Sequence, residues 1–189
     1  KNRNIFMDTY VMSKDLFIKL IHQAKEISSL YTLADVINTG CENGDLDVRG
    51  VSHRGYFASI TDFKSYHDAN MDLIDYKTAS ELFHENWPIY TRTNNSCPTH
   101  YFDTANVSNS VISNGSMIEG TVENSIIGRG CTIKKGAVVK NCVVLADCTI
   151  GENVHIENLV VDKHARITHA KEIISPADEP GYIRRNDTL

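Results

Sequence analysis

Eight histidines and five cysteines are the residues of this chain with the widest range of chemistry. The cysteines are Cys41, Cys97, Cys131, Cys142 and Cys148, and no two of them form a C-x-x-C pair. An odd count without such pairs favours neither a disulfide framework nor a zinc site. We therefore expect reduced, mostly buried thiols, as in a cytoplasmic protein, and no metal site.

The composition excludes several classes of function. The 189 residues are 41% hydrophobic and 23% charged, with a formal net charge of −5. These values are typical of a globular protein and provide no basic field for nucleic acid. No apolar stretch approaches the roughly 20 residues that cross a membrane. The chain begins at Lys1 without an initiator Met or a signal region, so we expect it to be part of a longer protein.

A repeat of 15 to 17 residues occupies the second half of the chain. Four-residue segments begin with asparagine at Asn109, Asn124, Asn141 and Asn158. Other columns keep the same step: Ile118, Ile133, Ile150 and Ile167; Val122, Val139 and Ile156; and the small residues Ser116, Cys131, Cys148 and Ala165. Three apolar columns per repeat, about six residues apart, are typical of a parallel β-helix built from hexapeptides.

The corners of this β-helix are predicted from glycine and asparagine. These residues tolerate a positive φ, and we expect it at Gly128, Gly130, Gly136, Gly151, Asn114 and Asn153. Four coils at a spacing of about 4.8 Å would form a prism. Hexapeptide prisms are left-handed, an exception to the usual right-handed crossover.

The prism raises the possibility of acyl transfer, in which a histidine acts as general base between subunits. His155, His164 and His169 lie in or just after the repeats, but they do not share a column. This function is therefore only a remote alternative. Two basic pairs, Lys134-Lys135 and Arg184-Arg185, could meet a phosphorylated effector, although solvated surface charge explains them more simply.

The residues before Gly40 indicate one strand and two helices. Asn4–Met12 is expected to form the strand, and Ser13 to cap a first helix. Its apolar face would contain Leu16, Phe17, Leu20, Ile21 and Ala24. The second helix is predicted over Leu30–Ile37 and ends near Gly40.

The next segment is expected to be extended over Val48–Ile60. Thr61 or Asp62 then caps a helix. The side chains predicted to be buried by this helix are Phe63, Tyr66, Leu73 and Ile74. Because these elements are too few to close a domain, we expect the missing strands upstream.

Three segments resemble the glucose-1-phosphate adenylyltransferases, also called ADP-glucose pyrophosphorylases. Gly55–Ile60, Ala69–Leu73 and Trp87–Thr91 are similar to the family segments Gly-Tyr-Trp-x-Asp-Ile-Gly-Thr, Ala-Asn-Met-Asp-Leu and Trp-Pro-Ile-Tyr. The resemblance extends from Met7 to about Thr168. It implies an α/β fragment of a Rossmann-like nucleotidyltransferase domain followed by a left-handed β-helix.

The resemblance also implies a reaction, which is the formation of ADP-glucose and pyrophosphate from ATP and glucose 1-phosphate for glycogen synthesis. ATP and Mg²⁺ would bind mainly through an upstream half, since the family's Gly-rich phosphate loop is absent from this sequence. No cofactor is expected in these 189 residues. The family forms tetramers in bacteria.

The departures from the family fall on its functional positions. Ser59 replaces the aspartate that helps to hold Mg²⁺, and Phe57 replaces the neighbouring tryptophan. In the strand that seats the sugar phosphate, Phe6 and Asp8 are new, whereas Tyr10 is kept as a substrate-binding candidate. A neutral hydroxyl cannot supply the charge of a carboxylate ligand. The site residues are therefore predicted to be degenerate, with no catalytic residue and no metal ligand.

A further family segment that contacts the sugar aligns with Tyr31–Asp35 and keeps only its last aspartate. The chain thus resembles most the non-catalytic, GlgD-type subunit, which pairs with a catalytic paralogue in a hetero-oligomer. A small-molecule effector is also possible, whereas nucleic-acid and membrane partners are not expected. The alternative is an active nucleotidyltransferase in which Asp62 or Asp8 takes over metal binding.

The predicted domain organisation has four parts. They are the end of the nucleotidyltransferase domain (1–86), a linker (87–106), the β-helix (107–170) and a C-terminal tail (171–189).

Overall fold

The computed structural model describes residues 6–28, 32–91 and 93–189. The chain divides into two units, Lys1–His53 and Arg54–Leu189. The segment predicted as 1–86 is therefore shared between the units, and its last part lies with the β-helix. No helix in the described ranges is long and apolar enough to cross a membrane.

The first unit contains helices α1 (Lys14–Ile27) and α2 (Leu33–Glu42). Ser13 caps α1, as predicted, because its Oγ accepts a hydrogen bond from Leu16 N–H (3.3 Å). Thr32 and Asp35 form a reciprocal capping box at the start of α2. The two helices pack around a small core of Leu20, Val36 and Ile37.

Two predictions for this unit need correction. Residues 6–12 of the predicted strand are irregular, and Asp8 has a φ of 51°. Within residues 6–28 and 32–53 there is no other strand that could pair with this segment, so its backbone cannot form a ladder. The second helix continues to Glu42, past the predicted end. Leu30 and Tyr31 lie outside the described residues.

The second unit begins with an irregular segment followed by helices α3 (Phe63–Asp72) and α4 (Tyr76–Leu82). Asp62 caps α3 and Asp75 caps α4. The predicted burial on α3 is only partly correct, because Phe63 is 39% exposed whereas His67 is buried.

Residues 93–189 form a parallel β-helix of three five-stranded sheets. The first sheet contains β1 (His100–Tyr101), β4 (Met117–Ile118), β7 (Thr132–Ile133), β10 (Thr149–Ile150) and β13 (Arg166–Ile167). The second contains β2 (Asn106–Ser108), β5 (Thr121–Glu123), β8 (Val138–Lys140), β11 (His155–Glu157) and β14 (Glu172–Ile174). The third contains β3 (Val111–Ile112), β6 (Ile126–Ile127), β9 (Val143–Val144), β12 (Leu159–Val161) and β15 (Gly181–Ile183).

The strand register confirms the repeat that was read from the sequence. Ile118 pairs with Ile133, Ile133 with Ile150, and Ile150 with Ile167, and all four are fully buried. The strands continue beyond 107–170 at both ends, from His100 to Ile183. The predicted tail thus supplies the last coil, and Leu189 N–H donates to the Arg166 carbonyl (2.9 Å). The left-handed sense of the coils stays a prediction.

Asparagine forms one corner of the prism. Asn109, Asn124, Asn141 and Asn158 all have a φ between 42° and 55°, a left-handed conformation that asparagine tolerates. Their side chains form a ladder in which each Nδ2 donates to the Oδ1 of the asparagine in the next coil, at 2.8 to 3.2 Å. Asn158 Nδ2 completes the ladder by donating to the Ser175 carbonyl (2.7 Å).

The corner prediction is correct for some residues and wrong for others. Gly130, Gly136 and Asn153 have a positive φ, as predicted. Gly128, Gly151 and Asn114 do not adopt this conformation. The two glycines serve a different purpose, which is close approach between coils. A Cβ on Gly128 would lie 2.8 Å from Ala146 N, and one on Gly151 would lie 2.9 Å from Thr168 Cα.

Candidate functional site

The first unit contains a cavity of about 410 Å³ lined by Asp8, Tyr10, Thr32, Leu33 and Ala34. The structure therefore brings together two segments that the family resemblance assigned to the sugar phosphate and to the sugar. Tyr31 of the second segment lies outside the described residues. The roles of these residues toward a substrate stay predictions.

The cavity has an acidic character. The Tyr10 ring packs against Phe6, with centroids 5.1 Å apart. Loss of hydration, the negative charge of Asp8 and a hydrogen bond to its carboxylate raise the pKa of the Tyr10 phenol. Because the Asp8 carboxylate lines the cavity, an added negative charge such as a phosphate would be repelled by it.

The start of α2 offers this cavity little attraction for anions. A helix N-terminus usually binds negative groups through its free N–H donors. Here Asp35 Oδ2 already accepts hydrogen bonds from Thr32 N–H (2.9 Å) and Thr32 Oγ1 (2.6 Å). These bonds hold the pKa of Asp35 below its usual range. The positive end of the α2 dipole therefore already has a negative partner, which is the Asp35 carboxylate of the capping box.

The Ser59 segment lies in the second unit. Ser59 and Phe57 are exposed in the irregular stretch before α3. Tyr56 ties this stretch to the helix, since its hydroxyl lies 3.1 Å from Asp72 Oδ2 and 3.3 Å from the Ala69 carbonyl. Because Asp8 and Ser59 belong to different units, their predicted convergence on one site stays a prediction.

Asp62 acts as a helix cap. Its Oδ1 accepts a hydrogen bond from Ser65 N–H (2.7 Å), and Ser65 Oγ accepts one from Asp62 N–H (3.0 Å). Hydrogen bonding to Ser65 holds the pKa of Asp62 below its usual range. One oxygen of this carboxylate is thus already used, as expected of a capping residue.

The residues of this segment do not fit a magnesium site. Mg²⁺ takes carboxylate oxygens in near-octahedral geometry. Ser59 supplies only a neutral hydroxyl, and Asp62 is held by α3. Among the described residues there is no group of three histidine, cysteine or acidic side chains that could hold a metal ion.

The histidines of the prism pair with carboxylates at separate places. His155 lies 3.6 Å from Glu157 and 3.5 Å from Glu172, and His164 lies 3.6 Å from Asp147. His169 is exposed. This arrangement adds no support to acyl transfer.

Three of the four side chains in the two basic pairs are exposed to solvent, as the sequence suggested. Lys135, Arg184 and Arg185 are exposed. Lys134 Nζ lies 3.5 Å from Glu119 Oε1. The structure therefore gathers no basic pocket from these four side chains.

The cysteines are free thiols of two kinds. Cys41 and Cys97 are exposed, whereas Cys131, Cys142 and Cys148 are buried. The expectation of mostly buried thiols is therefore met by three of the five. Burial raises the pKa of Cys142 to about 12. The buried thiols donate to backbone carbonyls and serve packing, since reactivity requires a thiolate.

The contact between α3 and the β-helix was missed by the sequence reasoning. In the third sheet Val144 and Val161 face the interior, so the alternating residues Val143 and Val160 face outward. They are nevertheless only 1% and 2% exposed. The available signal was the first of the two apolar residues that end each Asn-x-[Val/Ile]-[Val/Ile] segment, because its side chain points away from the axis and at Val143 and Val160 must be covered by another element.

The cover is α3. This helix lies against β9, and Phe63 contacts Tyr182 of β15 edge-on with centroids 5.7 Å apart. Because β12 lies between β9 and β15, α3 crosses all three strands. His67 is buried in this contact, and its Nε2 lies 3.0 Å from the Asn141 carbonyl oxygen.

Fold and repeats together define the second unit as a hexapeptide-repeat protein. In agreement, residues 98–179 match the family described as GlmU-like, C-terminal hexapeptide. This match covers the β-helix itself and does not include α3 or the first unit.

Comparison with known proteins extends the similarity to nearly the whole chain. It is 32% identical over 179 residues to "Glycogen biosynthesis protein GlgD" of Bacillus subtilis, which covers 95% of this chain and 51% of GlgD. It is also 37% identical over 107 residues to "Glucose-1-phosphate adenylyltransferase" of Bacillus mycoides, covering 57% of this chain and 28% of that enzyme. The enzyme of the same name from Geobacillus stearothermophilus is 42% identical over 86 residues, covering 46% and 22%.

These similarities confirm the resemblance to glucose-1-phosphate adenylyltransferases and GlgD that the signature segments indicated. The chain spans about half the length of GlgD and less of the adenylyltransferases.

Proposed function

We propose that this chain is the C-terminal portion of a non-catalytic subunit of glucose-1-phosphate adenylyltransferase that acts in glycogen biosynthesis. The similarity to GlgD over almost the whole chain, and to adenylyltransferases over a shorter part, supports the pathway. In this proposal a catalytic paralogue forms ADP-glucose from ATP and glucose 1-phosphate. The present subunit changes the affinity of that paralogue for its substrates and effectors.

The observation that supports the proposal most directly is the presence of Ser59 where the family has a metal-binding aspartate. Nucleotidyl transfer develops charge on the phosphates, and a bound metal ion must neutralise it. Ser59 lies in a segment that otherwise resembles the family, yet it offers no charge. The nearest carboxylate in the sequence, Asp62, is held as the cap of α3.

The first unit supports the same proposal through Asp8. Glucose 1-phosphate is a dianion at neutral pH, and a carboxylate that already raises the pKa of Tyr10 would oppose its binding. Phe6 contacts the Tyr10 ring in a tilted arrangement, with centroids 5.1 Å apart. In a catalytic subunit we would expect a neutral or basic lining here.

Several finer statements belong to the proposal. The helices of the first unit would complete a Rossmann-like domain together with residues upstream of this chain, and ATP and Mg²⁺ would bind there or in the partner. The β-helix would take part in a hetero-oligomer, which we expect to be a tetramer. A small-molecule effector could act on this assembly.

The alternative of an active enzyme with rearranged metal ligands would need Asp62 or Asp8 to bind the metal. The cap at Asp62 weighs against it.

A mixing experiment tests the proposal. The catalytic paralogue would be assayed for ADP-glucose formation with and without an excess of the full-length protein that carries this chain. We expect a changed KM for substrate or a changed response to effectors in the mixture. Kinetic constants that stay the same, with no complex on size-exclusion chromatography, would contradict the regulatory role.

A further inference from the structure

We infer that His67 is a positioning residue that couples the asparagine ladder of the β-helix to the Ser59 segment. The inference concerns contacts within the second unit and does not depend on whether the subunit is catalytic. Its elements are a buried histidine, an asparagine corner of the prism and a loop that carries a candidate site residue.

The first step is the burial of His67 in an otherwise half-exposed helix. His67 is 6% exposed, whereas Phe63 on the same helix is 39% exposed. An apolar residue would fill the position without the cost of desolvating a ring nitrogen. A histidine is therefore suited to this place by its hydrogen bond, and not by packing alone.

The second step is the identity of the acceptor. His67 Nε2 lies 3.0 Å from the carbonyl oxygen of Asn141, so the nitrogen donates. The two residues are 74 positions apart in the sequence. Asn141 has a φ of 49° and takes part in two ladder bonds, to Asn124 and to Asn158. The direction of its carbonyl is thus set by the corner and the ladder.

The third step is the other nitrogen of the ring. Nδ1 is buried, makes no hydrogen bond among the described residues, and lies 3.5 Å from Asp68 Oδ1. The shorter of the two polar contacts of the ring is therefore the hydrogen bond to Asn141, and the contact to Asp68 comes from a neighbouring residue of the same helix. A shift of the Asn141 carbonyl would displace the ring, because Asp68 moves with α3 and does not hold the ring to the β-helix.

The fourth step leads to the Ser59 segment. Asp62 caps α3 and joins it to the preceding loop, and Tyr56 bonds across to Asp72 at the other end of the helix. Residues 56–62 are thus fixed to α3 at both ends. Displacement of a ladder corner would move α3 and, with it, the loop that contains Ser59.

The test is native-state amide hydrogen exchange on the full-length protein that carries this chain, read separately for residues 56–62, for α3 and for the buried strands of the β-helix. His67→Leu keeps the apolar packing and removes the donor, which leaves the Asn141 carbonyl unpaired. We expect exchange in α3 to become about tenfold faster while the strands are unchanged. His67→Gln, whose amide nitrogen reaches about as far as Nε2, should restore slow exchange. His169→Leu, at an exposed histidine, is the matched control.

Coupling requires a further comparison, because a purely structural histidine would also protect α3. Asn124→Gly removes the ladder bond to Asn141 and keeps a residue that tolerates positive φ. We expect it to speed exchange in α3 by several-fold in the wild-type chain, and to have no such effect once His67→Leu is present. Equal effects of Asn124→Gly in both backgrounds would overturn the inference. Failure of His67→Gln to restore slow exchange would do the same.

Discussion

The asparagine ladder offers a stability prediction whose size can be worked out from the structure. Asn124→Ala removes two side-chain bonds, from Asn109 Nδ2 and to Asn141 Oδ1, both 2.8 Å long. Each such bond contributes about 0.5–1.5 kcal/mol. Alanine must also adopt the φ of 45°, which costs about 1–2 kcal/mol for a residue with a Cβ. We therefore expect a loss of about 3 kcal/mol in the free energy of unfolding.

The two contributions can be separated. Asn124→Gly loses the same bonds but not the backbone preference, so it should cost about 1 kcal/mol less than Asn124→Ala. Urea unfolding followed by far-UV circular dichroism measures both variants. Asn114→Ala is the control, because Asn114 is exposed and has no positive φ. Its effect should stay within about 0.5 kcal/mol. The reasoning would be refuted if Asn124→Ala were no worse than Asn124→Gly, or if Asn114→Ala were equally costly.

Three further predictions follow from other parts of the fold. A thiol reagent should label Cys41 and Cys97 at once, and the three buried thiols more slowly by orders of magnitude, because labelling there requires local opening; equal rates for all five would contradict the buried columns. Gly136→Ala should lower the melting temperature whereas Gly50→Ala should not. Gly136 has a φ of 75° and a Cβ there would clash with the side-chain amide oxygen of Asn153, while the surroundings of Gly50 are open. Since the pKa of Asp62 is lowered in the folded state, its stabilisation of α3 should be present above the ordinary aspartate pKa of about 3.9 and be lost as the pH falls through the lowered value; with Asp62→Ala, exchange in α3 should lose this pH dependence.

The β-helix could be predicted from the sequence in considerable detail. Columns such as Ile118 to Ile167 recur at a fixed step, and each must face the axis if a short strand is to bury anything. The start of α3 could be predicted to within one residue, with Thr61 or Asp62 as the cap, and the structure shows that Asp62 is the cap. In both cases the determinant is local or strictly periodic.

Features that depend on distant contacts could not be predicted. The strand expected over Asn4–Met12 has an extended pattern, but a strand forms only where another backbone accepts its hydrogen bonds. Gly128 was assigned to a positive φ, whereas its real constraint is the backbone of the next coil at 2.8 Å. His67 was overlooked because nothing near it in the sequence shows that Asn141 lies opposite.

The candidate site was predicted from the types of its residues, and residue types alone do not show how the residues are arranged in space. Ser59 shows that a carboxylate is missing, and Asp62 shows that a neighbouring carboxylate is already used. The convergence of these residues with Asp8 depends on the arrangement of the complete domain, which is a property of the whole protein. Local sequence therefore predicts loss of metal binding better than it predicts the shape of the site.

The central claim is that Ser59 leaves this subunit without adenylyltransferase activity of its own. The most direct test is ADP-glucose formation from ATP and glucose 1-phosphate by the full-length protein alone, with and without Mg²⁺. We predict no turnover above the background in either condition. Clear Mg²⁺-dependent turnover by the protein alone would contradict the account and would mean that another carboxylate replaces the one lost at Ser59.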